Sequence, residues 1–201
     1  GFKPSRIEFI HTLNHRRSGV PVVPRRLLPL SIKTRLGFDC VVVERWVEHL
    51  LEARPAAITL HGRTLQQMYR GAADWSAIAE AARLARGTGT LMLGNGDLNT
   101  LVDAIRRAGE SKVQGVLVGR GTLGSPWFFR EKEQARRAFS ERDDLSTLPA
   151  TAWEPPVSVS HRMQVMLDHA RQYEAIAGLE RFRTIRKHLG WYCKGFPHAA
   201  A

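Results

Sequence analysis

Cysteine is scarce in this chain: there are two in 201 residues, and neither Cys40 nor Cys193 stands in a CxxC or Cys/His spacing. That excludes a metal-binding finger and argues against a disulfide scaffold, so a reducing cytoplasm is the expected setting and no metal is expected. Long apolar runs are missing too. No stretch reaches the roughly 18 residues that a membrane-spanning helix needs, so no membrane is expected among its partners. The opening GFKPSRIEFI has neither an initiator Met nor a signal-peptide apolar region, and a start inside a longer protein is expected. Acidic residues are outnumbered, nineteen against thirty Lys and Arg, for a formal net charge of +11. Such a balance favours a polyanionic partner, nucleic acid before others, because phosphate neutralisation releases counterions; the plain alternative is a soluble basic surface. What remains is ample for a core: 43% of residues are hydrophobic, which with 24% charged argues against global disorder.

The apolar residues fall into a repeating order. PLSIKTRLGFD (residues 29–39) has a short apolar lead and then charged residues and a glycine, as a buried strand with a functional end would. Asp39 is placed to cap a helix from about Val41 to Arg54, whose Val43, Trp46, Val47, Leu50 and Leu51 follow helical spacing. AAITLHGRT (56–64) reads as the next strand. Asp74 then caps a helix with Trp75, Ile78, Ala79 and Ala82 on one face, ended by Gly87. TLMLGNGD is a third strand, followed by a helix with Leu98, Leu101, Val102 and Ile105 inward. GVLVGRG is a fourth, with a helix from about Ser125 to Phe139. Four strand–helix units in succession, with near-continuous apolar strands, predict parallel strands buried on both faces. Polar and glycine residues gather at the C-terminal end of each strand, where parallel α/β folds keep their active sites.

The polar, Pro-bearing segment 140–158 reads as a linker. Beyond it, Ser160 is placed to cap a helix with Met163, Met166, Leu167 and Ala170 on one side. A second helix, about Leu179 to Tyr192, puts Phe182, Ile185 and Leu189 inward and Arg181, Arg183, Arg186, Lys187 and Lys194 on other faces. Such a basic face is either solvated or grips nucleic-acid phosphates.

GNGD (94–97) and GRGTLG (119–124) end successive strands. Exposed backbone N–H groups at glycine turns make anion sites, and α/β barrels often hold a phosphate with the loops after their last two strands. Arg120 adds a fixed charge with bidentate geometry. Two such loops in consecutive units favour a phosphate-bearing ligand over two plain turns. His61, taken alone, is a satisfied core histidine before it is a cofactor donor or an acid. Lys33 and Arg35 lie on one side of a strand, where a Lys is costly unless paired or facing a ligand.

PLSIKTRLGFD, AITLHGRTLQQMYRGAADWSAIAEA, GNGDL and GVLVGRGTLGSPWFF together resemble the tRNA-dihydrouridine synthases, and RMQVMLDHARQYEA…RFRTIRKHLGWYCKGFPHAA resembles that family's helical C-terminal domain. The resemblance runs from about Leu28 onward, and HGRT with the following Y.G.ADW is its most specific piece. It implies an α/β fold of the (β/α)8 TIM-barrel family, here the last four βα units followed by an α-helical segment. It also implies a flavoprotein oxidoreductase that uses FMN and NADPH to reduce uridine in tRNA to 5,6-dihydrouridine. Carried over by motif, Lys33 and His61 would face the flavin ring. Asn95, Gly96 and Asp97, with Gly119 and Arg120, would hold the FMN ribityl phosphate. Arg35 and Arg63 would contact the target uridine or its phosphates, and Arg183, Arg186 and Lys187 would face tRNA.

The family's opening strands and its N-x-G-C-P-type segment, which carries the catalytic cysteine, have no counterpart here. Neither Cys40 nor Cys193 matches that position, so no catalytic residue is assigned. The expected layout is a helix and basic insert NHRRSGVPVVPRR over residues 1–27, the C-terminal half of an FMN-binding barrel over 28–140, a linker over 141–158, and a truncated tRNA-binding helical domain over 159–201. A half-barrel leaves sheet edges and a core wall open, and such a chain is expected to lack activity alone. The competing expectations are an RNA-binding remnant without catalysis, and another phosphate- or FMN-binding barrel enzyme. The latter leaves HGRT and the basic tail unexplained.

Overall fold

A computed structural model describes residues 8, 9, 12, 28–141, 157–194 and 196. Four strands alternate with helices: β1 (Ser31–Arg35), α1 (Val43–Glu52), β2 (Ala57–His61), α2 (Trp75–Leu84), β3 (Leu91–Asn95), α3 (Leu101–Ser111) and β4 (Gly115–Leu117). A 3-10 turn (Arg120–Thr122), α4 (Lys132–Glu141), α5 (Val159–Ala177), a longer 3-10 segment (Leu179–Ile185) and α6 (Arg186–Tyr192) follow. Of the first 27 residues only Glu8, Phe9 and Thr12, all helical, are described. The basic insert and nearly all of the expected linker lie outside the described residues.

The strands form one parallel sheet in the order β1-β2-β3-β4. Parallel strands in register turn the same rows of side chains to the same face. One face carries Ile32–Ile58–Met92 and Thr34–Leu60–Gly94–Val116, and the other carries Lys33–Thr59–Leu93–Gly115 and Arg35–His61–Asn95–Leu117. The first face is under the helices. Ile58 and Leu60 are fully buried, Met92 nearly so, and they pack with Val47 of α1 and Ile78 and Ala81 of α2. Each such side chain contributes roughly 1.5–3 kcal/mol by leaving water. Gly94 is there because α2 comes so close: a Cβ at this position would stand 2.5 Å from the Trp75 ring.

The second face has no comparable cover among the described residues. Leu91 is 52% exposed there, so burial on both faces, expected for every strand, holds only for β2. Strand register, not hydrophobicity, decides which residues are left in the open. Lys33 is exposed on that face, which removes the burial cost expected for a lysine within a strand.

Local capping sets several boundaries differently from the sequence expectation. Asp39 does not cap α1; its carboxylate accepts from the Cys40 N–H, and α1 begins after Val42 with no side-chain cap. Trp46 remains partly exposed and donates its indole N–H to Thr34 Oγ1. Asp74 caps α2 by accepting from the Ala77 N–H at 2.9 Å, and Thr100 caps α3 by accepting from Asp103. The helix expected from Ser125 starts only at Lys132, because residues 125–131 form successive turns after Gly124 (φ +75). Ser158, not Ser160, caps α5, and the second tail helix is split into a 3-10 segment and α6. The tail is seated on the loop after β4: a Cβ on Gly124 would strike the backbone of Trp191, and the Arg162 guanidinium lies 5.1 Å over Trp127. No described helix is long and apolar enough to cross a membrane.

Candidate active site

The C-terminal ends of β1 to β4 enclose a cavity of about 230 Å3, lined by Lys33, Arg35, His61, Asn95, Leu117 and the two glycine loops, among other groups. The register explains the grouping, since Arg35, His61, Asn95 and Leu117 form the last row of the uncovered face. The structure brings Lys33, Arg35, His61, Asn95, Gly96, Asp97, Gly119 and Arg120 to this one cavity. Arg183, Arg186 and Lys187 are elsewhere, exposed on the 3-10 segment and α6, with no ion pair among the described residues.

Asp97 organises the cavity's rim. It sits at φ +48, just after Gly96 at φ +136, so the chain turns sharply out of β3. A Cβ on Gly96 would stand 2.5 Å from that of Ala73, which keeps this turn pressed against the β2–α2 loop. One carboxylate oxygen of Asp97 accepts from Arg63 Nη2 at 2.6 Å and from the Ala73 N–H at 2.8 Å; the other accepts from Arg120 Nη2 at 3.0 Å. Burial pushes the Asp97 carboxyl up, but the Arg63 hydrogen bond, the Ala73 N–H and the charges of Arg63 and Arg120 outweigh it, and the net direction is down. Both oxygens are thus committed to donors within the chain. Asp97, expected among the residues that hold the phosphate, is paired with Arg120, which also lies 5.1 Å over the Tyr69 ring.

Arg63 departs further from its expected place. It is 2% exposed. Nε donates to Arg70 O at 3.3 Å, Nη2 to Gly71 O at 2.6 Å as well as to Asp97, and Nη1 to His61 Nε2 at 3.4 Å. A guanidinium so enclosed, with a contact from each of its three nitrogens, ties the β2–α2 loop to the end of β3. Arg35 does similar work from β1, donating through Nη1 to Thr64 O at 2.9 Å and Met68 O at 3.2 Å, while still reaching the cavity. Asn95 donates its amide to Leu117 O at 2.8 Å and so clips β3 to β4.

His61 is nearly buried, at 8% exposure. Desolvation first, then the charges of Arg35, Lys33 and Arg63, push its pKa down to about 4. It is therefore neutral at physiological pH. Tyr69, Leu98, Asn99 and Leu117 also line the cavity and received no role from sequence. Leu117 was recoverable from the strand register and Tyr69 from its place in the Y.G.ADW stretch. Leu98, expected on the inner face of the helix after β3, stands before α3, which starts at Leu101, and lines the cavity; nothing local marked Asn99.

The cavity suits an anionic ligand. Lys33, Arg35 and Arg120 supply positive charge, Asp97 is already neutralised, and Gly119 leaves open space where a side chain would stand. Its volume is below the roughly 300–1,000 Å3 of a pocket that encloses a whole cofactor-sized molecule.

Four parallel strands alternating with helices, with a cavity at their C-terminal ends, define an α/β chain whose fold is consistent with part of a (β/α)8 barrel. The family model described as "Dihydrouridine synthase (Dus)" matches residues 17–201, and the chain belongs to that family. The family is one of FMN-dependent oxidoreductases that act on tRNA. Similar curated proteins include one from Mycobacterium leprae named "Probable tRNA-dihydrouridine synthase", 35% identical over 85% of this chain and 41% of its own length. Others of that name come from Aquifex aeolicus (39% identical, 86% of this chain, 48% of its own) and Rhodobacter capsulatus (38%, 83% and 48%). The chain spans less than half the length of these relatives.

Proposed function

We propose that this chain forms the phosphate-binding half of an FMN site, and part of the tRNA-binding surface, of a tRNA-dihydrouridine synthase. The observation that carries the reading is the cavity in which Lys33, Arg35 and Arg120 converge beneath two glycine loops with one carboxylate already neutralised. Arg120, Gly119 and Gly96 would hold the ribityl phosphate, with Asp97 fixing the Arg120 guanidinium. Lys33, His61 and Asn95 would lie along the ring system. Once bound and reduced by NADPH, FMN would supply hydride for C6 of a uridine. Arg35 would approach the uridine or its phosphates, while Arg63 holds the wall in place.

The exposed cations Arg181, Arg183, Arg186 and Lys187 support a contact with tRNA phosphates, because exposed cations release counterions when they meet a polyanion. No cysteine is given the acid role. Cys40 is exposed on the β1–α1 loop, where Asp39 holds its thiol pKa above the usual value, which disfavours a reactive thiolate.

Titrating the purified chain with FMN tests the reading. Quenching of flavin fluorescence that saturates, and that Arg120→Gln weakens about tenfold, is the expected result. A folded chain, by circular dichroism, that leaves flavin fluorescence unchanged would overturn it. Binding of tRNA without flavin would favour the RNA-binding remnant.

A further inference from the structure

We infer that Arg63 is a positioning residue that fixes the tautomer of His61, placing the ring proton on Nδ1 and the lone pair on Nε2, so that the cavity meets a neutral N–H donor. The two partners differ in what they can offer. An arginine guanidinium has N–H donors and no acceptor, and it keeps its proton at any pH a protein survives. Arg63 Nη1 lies 3.4 Å from His61 Nε2 with hydrogen-bonding geometry. A contact of this kind requires a lone pair on Nε2, because an Nε2–H would set donor against donor. Arg63 cannot turn away to relieve the demand. Its other nitrogens are held by Arg70 O, Gly71 O and Asp97, and the side chain is 2% exposed.

The ring is held on its other edges as well. A Cβ on Gly96 would stand 3.4 Å from His61 Cδ2 and 3.7 Å from Nε2, so the Cδ2–Nε2 edge faces the backbone of β3's end. Nδ1 is on the opposite side of the ring. It has no hydrogen-bond partner among the described residues and is not sealed from solvent, and His61 lines the cavity. In a neutral imidazole with its lone pair on Nε2, Nδ1 carries the hydrogen. Burial first, and then the charges of Arg35 and Lys33 from β1 and Arg63 from the β2–α2 loop, oppose a second proton, and Asp97 alone favours one. Tyr69 and Arg120 complete the titratable groups of the cavity.

An N–H donor of this kind recognises an acceptor atom on the ligand, a carbonyl oxygen or an unprotonated ring nitrogen, and offers nothing to a donor. That use of His61 rests on the proposed flavin site; the tautomer does not. Arg63 thus acts through His61.

Nitrogen-15 NMR of the ligand-free chain labelled at histidine tests the inference directly. The signals of His61 among the eight histidines are assigned by their loss in His61→Gln. The expected spectrum shows a protonated Nδ1 and an unprotonated Nε2 at pH 7, with a titration midpoint near 4. Arg63→Met should move the population toward Nε2–H and bring the midpoint back toward 6.5, and Arg63→Lys, which keeps a cationic donor, should retain more of the Nδ1–H form. A wild-type His61 protonated at Nε2, or titrating like a solvent-exposed histidine, would overturn the inference even if both Arg63 variants failed to fold. Adding FMN then tests the other reading separately. A shifted Nδ1–H signal supports the donor role, whereas an Nδ1–H tautomer blind to saturating FMN overturns that role and leaves the tautomer standing.

Discussion

Replacing Asp97 by Asn gives the sharpest test of how the cavity is held. The side chain keeps its shape, but one of the two charges of the Arg63–Asp97 pair disappears. Arg63 is 2% exposed and Asp97 about a third exposed, with 2.6 Å between Nη2 and Oδ2. Removing one partner of a fully buried pair costs roughly 3–5 kcal/mol, because the remaining charge is left without compensation. Asp97 is only partly enclosed, and Asn still accepts one hydrogen bond, so about 2–3 kcal/mol is expected. Arg120 donates to the same carboxylate but is 55% exposed, and Arg120→Gln should cost no more than about 0.5–1 kcal/mol. The assay is urea unfolding followed by circular dichroism. With a slope of about 2 kcal/mol per molar, the Asp97→Asn midpoint should fall by roughly 1–1.5 M and the Arg120→Gln midpoint by less than half of that. Equal shifts in the two variants, or an unmoved Asp97→Asn midpoint, would show that Arg63 does not depend on Asp97 and would refute the reasoning.

Acidification should weaken the fold in a defined window. The unfolded chain takes up a proton near 6.5 that folded His61 refuses until about 4, so stability is greatest above 6.5 and falls as the pH drops toward 4. The gap sets an upper bound of ~3 kcal/mol, measured as the loss of urea midpoint between pH 6.5 and 4.5 in wild type relative to His61→Gln. Gly94→Ala pushes a Cβ to 2.5 Å from the Trp75 ring and should cost about 1–3 kcal/mol by overpacking; thermal unfolding should show a midpoint lower by several degrees. Asp74→Ala removes the α2 cap and should cost about 1 kcal/mol, read in the same assay. The triple variant Arg183→Gln, Arg186→Gln, Lys187→Gln should make the dependence of tRNA binding on log salt shallower by about 2 to 3, and an unchanged slope would place the RNA contact elsewhere.

Four alternating units, the strand cores and the clustering of glycine and charge at strand ends were legible in sequence because they are local. An apolar run of four or five residues, an Asp before a helical period and two glycines after a strand each constrain the backbone where they stand. Helix ends were less legible where two polar residues competed. Ser158 caps α5 though Ser160 is equally eligible by type, and Asp39 satisfies its own neighbour and leaves α1 uncapped.

Motif resemblance named most of the cavity's residues, and the register explains why they meet: Arg35, His61, Asn95 and Leu117 come from four strands yet occupy one row. The work each residue does was decided by tertiary structure alone. HGRT says that Arg63 follows a strand. It does not say that the β2–α2 loop folds back to enclose the guanidinium between Gly71, Asp97 and His61. Asp97 likewise reads as a polar loop residue until Arg63 and Arg120 arrive from positions 34 residues before and 23 after. Side-chain type and spacing act over a few residues, so they determine strands, caps and turns. Charge pairing and burial depend on which distant segments share a low-dielectric space, and only the folded chain brings those segments together.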